Sequence, residues 1–231
     1  VKILVTAALP YVNNVPHLGN LVPVLSADVF ARFKRLLKED IIYICGTDEH
    51  GTTTETVAMR EGMTPQEVCD KYFKIHKESY DWLNISFDHF GRTSKQYQHD
   101  ITQNIFLKLY ENGYIFEREM EQTFCVTCNR FLADRFIEGT CPHCGYEQAR
   151  GDQCENCGKV YDTKDLIDPI CSLCGGTPVI KQTQHLFLDL PQFEDQLLQF
   201  VDTRKDVWST NAVNFTLAWI RDGLEPRCIT R

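Results

Sequence analysis

Four Cys-x2-Cys pairs fall within the fifty residues from Cys125 to Cys174: Cys125/Cys128, Cys141/Cys144, Cys154/Cys157 and Cys171/Cys174. Nothing else in the sequence constrains the chain as tightly. Each pair turns sharply enough to place two sulfurs on one ion, and eight thiols are the count for two tetrahedral, all-cysteine zinc sites. The spacing is a strong sign of metal and by itself says little about function.

Composition narrows what such sites serve. At 231 residues and 43% apolar, the chain has material for one large domain or two modest ones. No stretch approaches 18 uninterrupted apolar residues, and the N-terminus has no basic lead followed by an apolar run and a small-residue cleavage site. The expectation is a soluble, unexported protein with no membrane partner, and its cysteine usage fits thiolates on metal in a reducing compartment such as the cytoplasm. The three scattered cysteines, Cys45, Cys69 and Cys228, read as small buried hydrophobes. A formal net charge of −8 argues against a protein held to nucleic acid mainly by counterion release. Between Cys125 and Cys174 five basic residues face eight acidic ones, so the knuckles read as structural rather than as a phosphate grip.

Along the chain, Lys2 to Leu9 reads as a short buried strand and Tyr11 to Pro16 as an Asn- and Pro-rich loop. From Leu18 to Leu37 the residues Leu21, Leu25, Val29, Phe33 and Leu36 recur at helical spacing, with basic residues toward the C-terminal end. Ile41 to Cys45 is a second strand, ending in Gly46-Thr47-Asp48-Glu49-His50-Gly51. Strand, crossover helix and strand in that length predict a right-handed βαβ unit with a ligand crevice beyond the strand ends. Thr64-Pro65-Gln66-Glu67 is a capping box opening a helix to about Leu83, and a further helix from about Lys95 to Glu111 stops at Asn112-Gly113. Strand-like segments Tyr114 to Phe124 and Thr177 to Leu190 bracket the cysteines, which puts the knuckles at the end of a β-hairpin arm. Helices over about Gln192 to Val201 and Thr210 to Arg221 close the chain. The expected division is residues 1–113, then 114–231 with the knuckles at 125–174.

Neither G-x-G-x-x-G nor G-x-x-x-x-G-K-[ST] occurs, which excludes a dinucleotide fingerprint and a Walker phosphate loop. What joins the first strand to the first helix is Pro10-Tyr11-Val12-Asn13-Asn14-Val15-Pro16-His17-Leu18-Gly19-Asn20. An imidazole and an amide there can donate to phosphate oxygens, around a glycine that lets a nucleotide approach the backbone. Taken alone, His17 is an ordinary surface histidine as readily as a ligand. Asp48, a carboxylate at a strand's C-terminal end, suits a cationic group or equally an N-cap for a helix beginning near Thr52.

The stretch from Ala7 to Asn20 resembles the His-Ile-Gly-His signature of class I aminoacyl-tRNA synthetases, in its methionyl form. The resemblance continues in order through Gly46 to Gly51, Asp134-Arg135-Phe136, Gly139-Thr140-Cys141-Pro142, Gly151-Asp152-Gln153-Cys154, Phe187-Leu188-Asp189-Leu190-Pro191 and Arg221-Asp222-Gly223-Leu224. It implies an α/β fold: the first half of a Rossmann-like nucleotide-binding domain with an inserted β-arm that carries the zinc knuckles. It also implies Mg-ATP-dependent activation of methionine to methionyl-adenylate and transfer to tRNA(Met). His17, Gly19 and Asn20 match the ATP-binding positions, with His17 and Asn20 stabilising the transition state. Ala8, Leu9, Tyr11 and Asp48 match the methionine site, and Asp48 the carboxylate that takes the substrate ammonium. Position 20 has Asn where the common signature has His, and Asn is still a neutral donor.

The eight thiols can be grouped into two sites in three ways, and gaps of twelve, nine and thirteen residues are too alike to choose on loop length. The hairpin organisation and the resemblance together favour nesting: Cys141, Cys144, Cys154 and Cys157 in one site, Cys125, Cys128, Cys171 and Cys174 in the other. His143 is not needed as a ligand. The second half of the nucleotide-binding fold and a Lys-Met-Ser-Lys-Ser-type ATP loop are not in the sequence, so the expectation is a truncated chain without activity of its own. Two other readings are a class I synthetase for another aliphatic amino acid, for which the roughly 75 residues between Gly113 and Leu190 are too short to hold an editing domain, and a non-catalytic zinc-bearing RNA or protein interaction fragment.

Overall fold

The computed structural model describes residues 2–151 and 153–230; Val1, Asp152 of the Gly151-Asp152-Gln153-Cys154 motif, and Arg231 lie outside the described residues. The chain divides into two compact units, Val1–Asn104 and Ile105–Arg231. The division falls within the helix Gln96–Glu111, whose C-terminal end is where the sequence suggested a boundary.

The first unit is α/β. Strands β1 (Lys2–Thr6), β2 (Asp40–Thr47) and β3 (His89–Arg92) form a parallel sheet in the order β1-β2-β3. Helix α1 (Leu18–Leu36) connects the first two strands; α2 (Thr52–Glu61) and α3 (Pro65–Trp82) connect the second and third; α4 (Gln96–Glu111) follows. The strand expected to reach Leu9 stops at Thr6, which leaves residues 7–17 free to form a loop across the strand ends. The capping box that opens α3 is present in both directions: Thr64 Oγ1 accepts from the Glu67 amide at 3.3 Å, and Glu67 Oε2 accepts from the Thr64 amide at 2.7 Å. Strand β3 carries no alternating pattern long enough to announce itself in the sequence.

One face of the sheet is covered. Val5, Tyr43 and Cys45 pack with Val24 and Ala31 of α1 and Tyr80 of α3, and the aromatic rings of Phe87 and Phe90 complete the cluster. The helix expected from the spacing of Leu21, Leu25, Val29, Phe33 and Leu36 is present, and Leu21 of that set packs against the cluster. Val29 is 66% exposed and Leu36 81%, whereas Val24, Asp28 and Ala31 turn inward. Small residues on the inward face let the helix lie close to the strands. Buried Asp28 is tolerated because its carboxylate accepts from the amide and hydroxyl of Ser86 and from Arg32 Nε.

In the second unit β4 (Ile115–Cys125) and β9 (Val179–Leu188) make an antiparallel ribbon from Ile115↔Leu188 to Phe124↔Val179. Strand β5 (Arg130–Phe131) extends it beside β4, and β10 (Arg227–Cys228) beside β9. Beyond the Phe124 end lies a small antiparallel sheet of β6 (Ile137–Thr140), β7 (Ala149–Arg150) and β8 (Ile167–Cys171), in the order β7-β6-β8. Its core joins Leu132, Phe136, Ile137, Ala149 and Leu166 to the first cysteine of every pair. After a 3-10 turn over Leu190–Phe193, α5 (Glu194–Asp202) and α6 (Thr210–Arg221) pack through Val201, Val213 and Ile220.

Candidate active site and metal centres

The loop between β1 and α1 is held from below. Val12 is fully buried among Val57, Ala58, Val68 and Tyr72, a burial that contributes roughly 1.5–3 kcal/mol. Two residues on, the Asn14 carbonyl accepts from Nε2 of His76, a buried histidine on α3, at 2.8 Å. Loop and β2 are also stitched backbone to backbone. Asp48 N donates to Pro10 O at 2.9 Å and Val12 N to Asp48 O at 3.3 Å, so Tyr11 and Asp48 sit side by side in a parallel bridge. Two segments that the sequence assigned to one ligand are thus adjoining.

His17 is the N-cap of α1. Its Nδ1 accepts from the Gly19 amide at 3.0 Å, and its own amide donates to Asn20 Oδ1 at 3.2 Å. The first contact fixes the tautomer: with Nδ1 acting as acceptor, a neutral imidazole carries its proton on Nε2. The second occupies the Asn20 oxygen and leaves the amide NH2 free to donate. Gly19 is indispensable to this arrangement, since a Cβ there would lie 2.8 Å from His17 Cε1. No acidic residue occupies the first turn of α1, so the helix terminus keeps its attraction for anions.

Asp48 is half-buried, and among the described residues its carboxylate accepts a single long hydrogen bond, from the His50 amide at 3.4 Å. It does not cap α2, whose N-cap is Gly51 without any side-chain bond; the N-cap alternative is thereby removed. Ala8, Leu9 and Tyr11 are exposed along the same loop. They do not line the cavity of about 360 Å³ beside Asp48, which is walled by His50, Thr93, Gln98, His99, Thr102 and Gln103.

Sequence reading gave no role to Glu49, Arg92 or His76. Glu49 is buried and accepts from Thr47 Oγ1 at 3.0 Å, from Arg92 Nε at 2.6 Å and from Ser94 Oγ. Arg92 comes from β3, 43 residues away along the chain, and no local spacing signals such a pair. For His76 a faint signal existed: a histidine on the apolar side of a strongly amphipathic helix.

The eight thiols assemble into two groups, Cys125, Cys128, Cys171 and Cys174 in one and Cys141, Cys144, Cys154 and Cys157 in the other. The grouping is nested. Within each, the sulfurs lie within 4.8 Å of one another, and the closest cross-pair distances are 3.4 and 3.9 Å in the first and 3.6 and 3.9 Å in the second. Zinc–sulfur bonds of about 2.3 Å at tetrahedral angles place sulfurs about 3.8 Å apart, so both groups fit a metal ion. The turns are built for it. The residue after each pair, Asn129, Gly145, Gly158 or Gly175, takes the left-handed conformation, and amides of Cys128 and His143 donate to Cys125 Sγ and Cys141 Sγ. Backbone hydrogen bonding from Cys128 draws the Cys125 thiol down to about 7, and that from Tyr146 draws Cys144 down to about 6, whereas the bond with Cys174 pushes Cys128 up and burial pushes Cys171 up, so one thiolate forms readily in each group and the others call for the charge of a bound ion. His143 belongs to neither group.

The model of the class I (M) tRNA synthetases matches residues 3–231. A probable cytoplasmic methionine--tRNA ligase of Dictyostelium discoideum is 58% identical over the whole chain, which spans 32% of that protein. The cytoplasmic methionine--tRNA ligase of Homo sapiens is 55% identical, with 26% of its length spanned. Among solved structures, methionyl-tRNA synthetase of Mycobacterium tuberculosis in complex with methionyl-adenylate superimposes with a TM-score of 0.73 at 23% identity, covering all of this chain and 40% of that one. That likeness establishes a shared fold. The chain spans about a third or less of the curated relatives it matches, and within that span the match is continuous: it belongs to the class I (M) tRNA synthetase family.

Proposed function

We propose that the chain is the N-terminal part of a methionine--tRNA ligase, cytoplasmic like the ligases it resembles, which activates methionine with ATP to methionyl-adenylate and passes the methionyl group to tRNA(Met). In this reading residues 1–113 are the first half of a Rossmann-like catalytic domain. Residues 114–231 are its connective-peptide insertion, with two structural zinc ions held by the two cysteine groups. One observation carries the proposal: the loop that leads into the His17 cap of α1 is bonded directly to Asp48, so segments carrying groups suited to phosphate and to ammonium are joined at the ends of adjoining parallel strands.

The reaction is an in-line displacement in which a methionine carboxylate oxygen attacks the α-phosphorus and the bond to pyrophosphate breaks. Such a step needs positioning and charge stabilisation rather than a nucleophilic side chain. The His17 Nε2–H and the Asn20 NH2 are aimed by the cap bonds and donate to phosphate oxygens as charge develops. The N-terminus of α1 adds its dipole. Asp48 holds the substrate ammonium, while Ala8, Leu9 and Tyr11 line one wall of the methionine site. Mg2+ bound to ATP as part of the substrate would supply charge neutralisation at the phosphate oxygens.

The first unit carries surface that suits a larger domain. Leu4 and Ile42 on the uncovered sheet face are 63% and 52% exposed, while parallel sheets ordinarily bury both faces. On this reading the surface is covered by further parts of the same protein, and exchange by these 231 residues alone is expected to be absent. The test is methionine-dependent ATP–pyrophosphate exchange by the open reading frame that contains them. Activity there, reduced about 10²–10³-fold by His17→Ala, is expected; exchange absent from the whole reading frame, or indifferent to His17, overturns the proposal.

A further inference from the structure

We propose that Glu49 is a positioning residue for the methionine site: clamped by Arg92, it fixes the direction of the neighbouring Asp48 carboxylate and so sets the apparent affinity for the substrate ammonium. The inference rests on the function proposed above and assigns a role to a carboxylate that touches no substrate.

Asp48 does little to orient itself, since among the described residues its side chain accepts one hydrogen bond, from the His50 amide at 3.4 Å. Its direction comes from its backbone. On one side that backbone is bonded to Pro10 and Val12. On the other it continues into Glu49, whose side chain is fully buried and projects away from that of Asp48, as consecutive side chains in extended chain do. Three elements converge on residue 49. Thr47 Oγ1 comes from the end of β2, Arg92 Nε at 2.6 Å from β3, and Ser94 Oγ from the turn beyond it. The Glu49 amide donates to Thr93 Oγ1 at 2.9 Å, and its carbonyl accepts from Cys69 Sγ of α3 at 3.5 Å.

Arg92 is itself immobilised. Its second nitrogen bonds Asp70 Oδ1 at 2.6 Å and its guanidinium lies 4.6 Å from the centre of the Phe73 ring. A buried ion pair is by itself weak evidence for added stability. Its placement here is informative instead: the peptide unit after Asp48 is bonded by Val12 N and by Thr93 Oγ1, and the groups around the Glu49 carboxylate and carbonyl hold the residue on the far side of that peptide. Loosening the clamp leaves the phosphate-binding cap at His17 in place and frees only the ammonium end of the site.

The experiment compares steady-state exchange kinetics of the full reading frame with Glu49→Gln and Ser94→Ala. Glu49→Gln is expected to raise the methionine KM by roughly tenfold or more, approaching the roughly 10²-fold that a 1 Å misplacement costs, with the ATP KM within about twofold of the parent. Ser94→Ala, which removes one hydroxyl from the clamp, shifts the methionine KM in the same direction by a smaller factor and decides the matter if Glu49→Gln does not fold. A methionine KM unchanged in the folded variants, or one rising in step with the ATP KM, overturns the assignment. Asp48→Asn separates this failure from that of the underlying reading: if its methionine KM is also unchanged, Asp48 is not the ammonium site and both fall.

Discussion

Gly19→Ala separates the two things that the α1 cap does, because its consequences for stability and for chemistry have different sizes. The added Cβ would lie 2.8 Å from His17 Cε1 and 3.0 Å from Nδ1. Ordinary contact begins near 3.4 Å, so the ring must retreat by about 0.6 Å. Only a side chain stands in the way, and the imidazole is exposed, so it swings out and gives up the bond from the Gly19 amide. Losing that bond costs about 0.5–1.5 kcal/mol, while replacing glycine by alanine in a helix returns close to 1 kcal/mol. The two nearly cancel, and the melting temperature should move by only a few degrees. Catalysis has no such offset. A displacement of about 1 Å in a positioning group costs roughly 10²-fold, so the exchange rate of the full reading frame should fall by one to two orders of magnitude with the fold intact. Thermal melting and exchange kinetics on the same preparation check both halves. An unaltered rate would refute the link between the cap and the chemistry; a collapse in stability would refute the energy balance.

At Gly46 the opposite outcome is expected, since a Cβ there would stand 2.8 Å from the backbone oxygen of Gly91, its partner across the β2/β3 pairing. Backbone cannot swing aside, so Gly46→Ala should cost about 1–3 kcal/mol in urea unfolding, and an unchanged midpoint would count against the register. In metal analysis of the purified chain, Cys141→Ser and Cys154→Ser should each lose the same one of two zinc ions, and Cys125→Ser and Cys171→Ser the other; one ion lost in common by Cys141→Ser and Cys125→Ser would break the nested assignment. Burial pushes the His76 imidazole below its ordinary range, against a smaller upward pull from the Asn14 carbonyl. Nδ1 has no partner among the described residues. The folded state therefore binds its proton less readily than the unfolded one. This contribution to stability is whole above about pH 6.5 and is lost as pH falls from there through the depressed folded value, with a slope of at most about 1.4 kcal/mol per pH unit. Urea midpoints of parent and His76→Gln between pH 7.5 and 5 isolate it, above the range where the paired carboxylates protonate; parallel curves would refute it.

What the sequence made legible and what it concealed divide along a physical line. Local signals were readable, because their cause lies within a few residues: the Thr64/Glu67 capping box, the stop at Gly113 with its φ of 76°, and the four cysteine turns that gather into two groups. Pairings across strands followed where two β-rich segments bracketed an obvious unit, as β4 and β9 bracket the cysteines. The phase of α1 was not legible, because periodicity fixes only the angle between residues. Which face turns inward depends on what the helix must approach, and here close packing on Tyr43 and Cys45 selects Ala31 and Val24 over Phe33 and Val29. The Glu49–Arg92 pair was invisible for a related reason. A buried carboxylate acquires its partner from the tertiary fold, so position 49 reads as one more polar residue in a loop until β3 arrives beside it.

The same distinction explains why the loudest motif is the least informative about chemistry. A cysteine knuckle must be encoded locally, since its two sulfurs have to meet one ion within a single turn. A site that binds ammonium at one end and phosphate at the other is assembled from strand ends that are distant in sequence, and each contributes one or two residues with no compulsory spacing between them. In the proposed reading of this chain the join is the Tyr11–Asp48 bridge, two backbone hydrogen bonds long. Asp48 N and Val12 N each donate across it, so the spacing between Asp48 and the loop leading to His17 is set by main chain. Side chains then act on that fixed frame: Glu49 from behind Asp48, and Gly19 from within the cap. Substitutions at those two positions should consequently perturb opposite ends of the site independently, their effects multiplying in a double variant as expected for groups that share no partner.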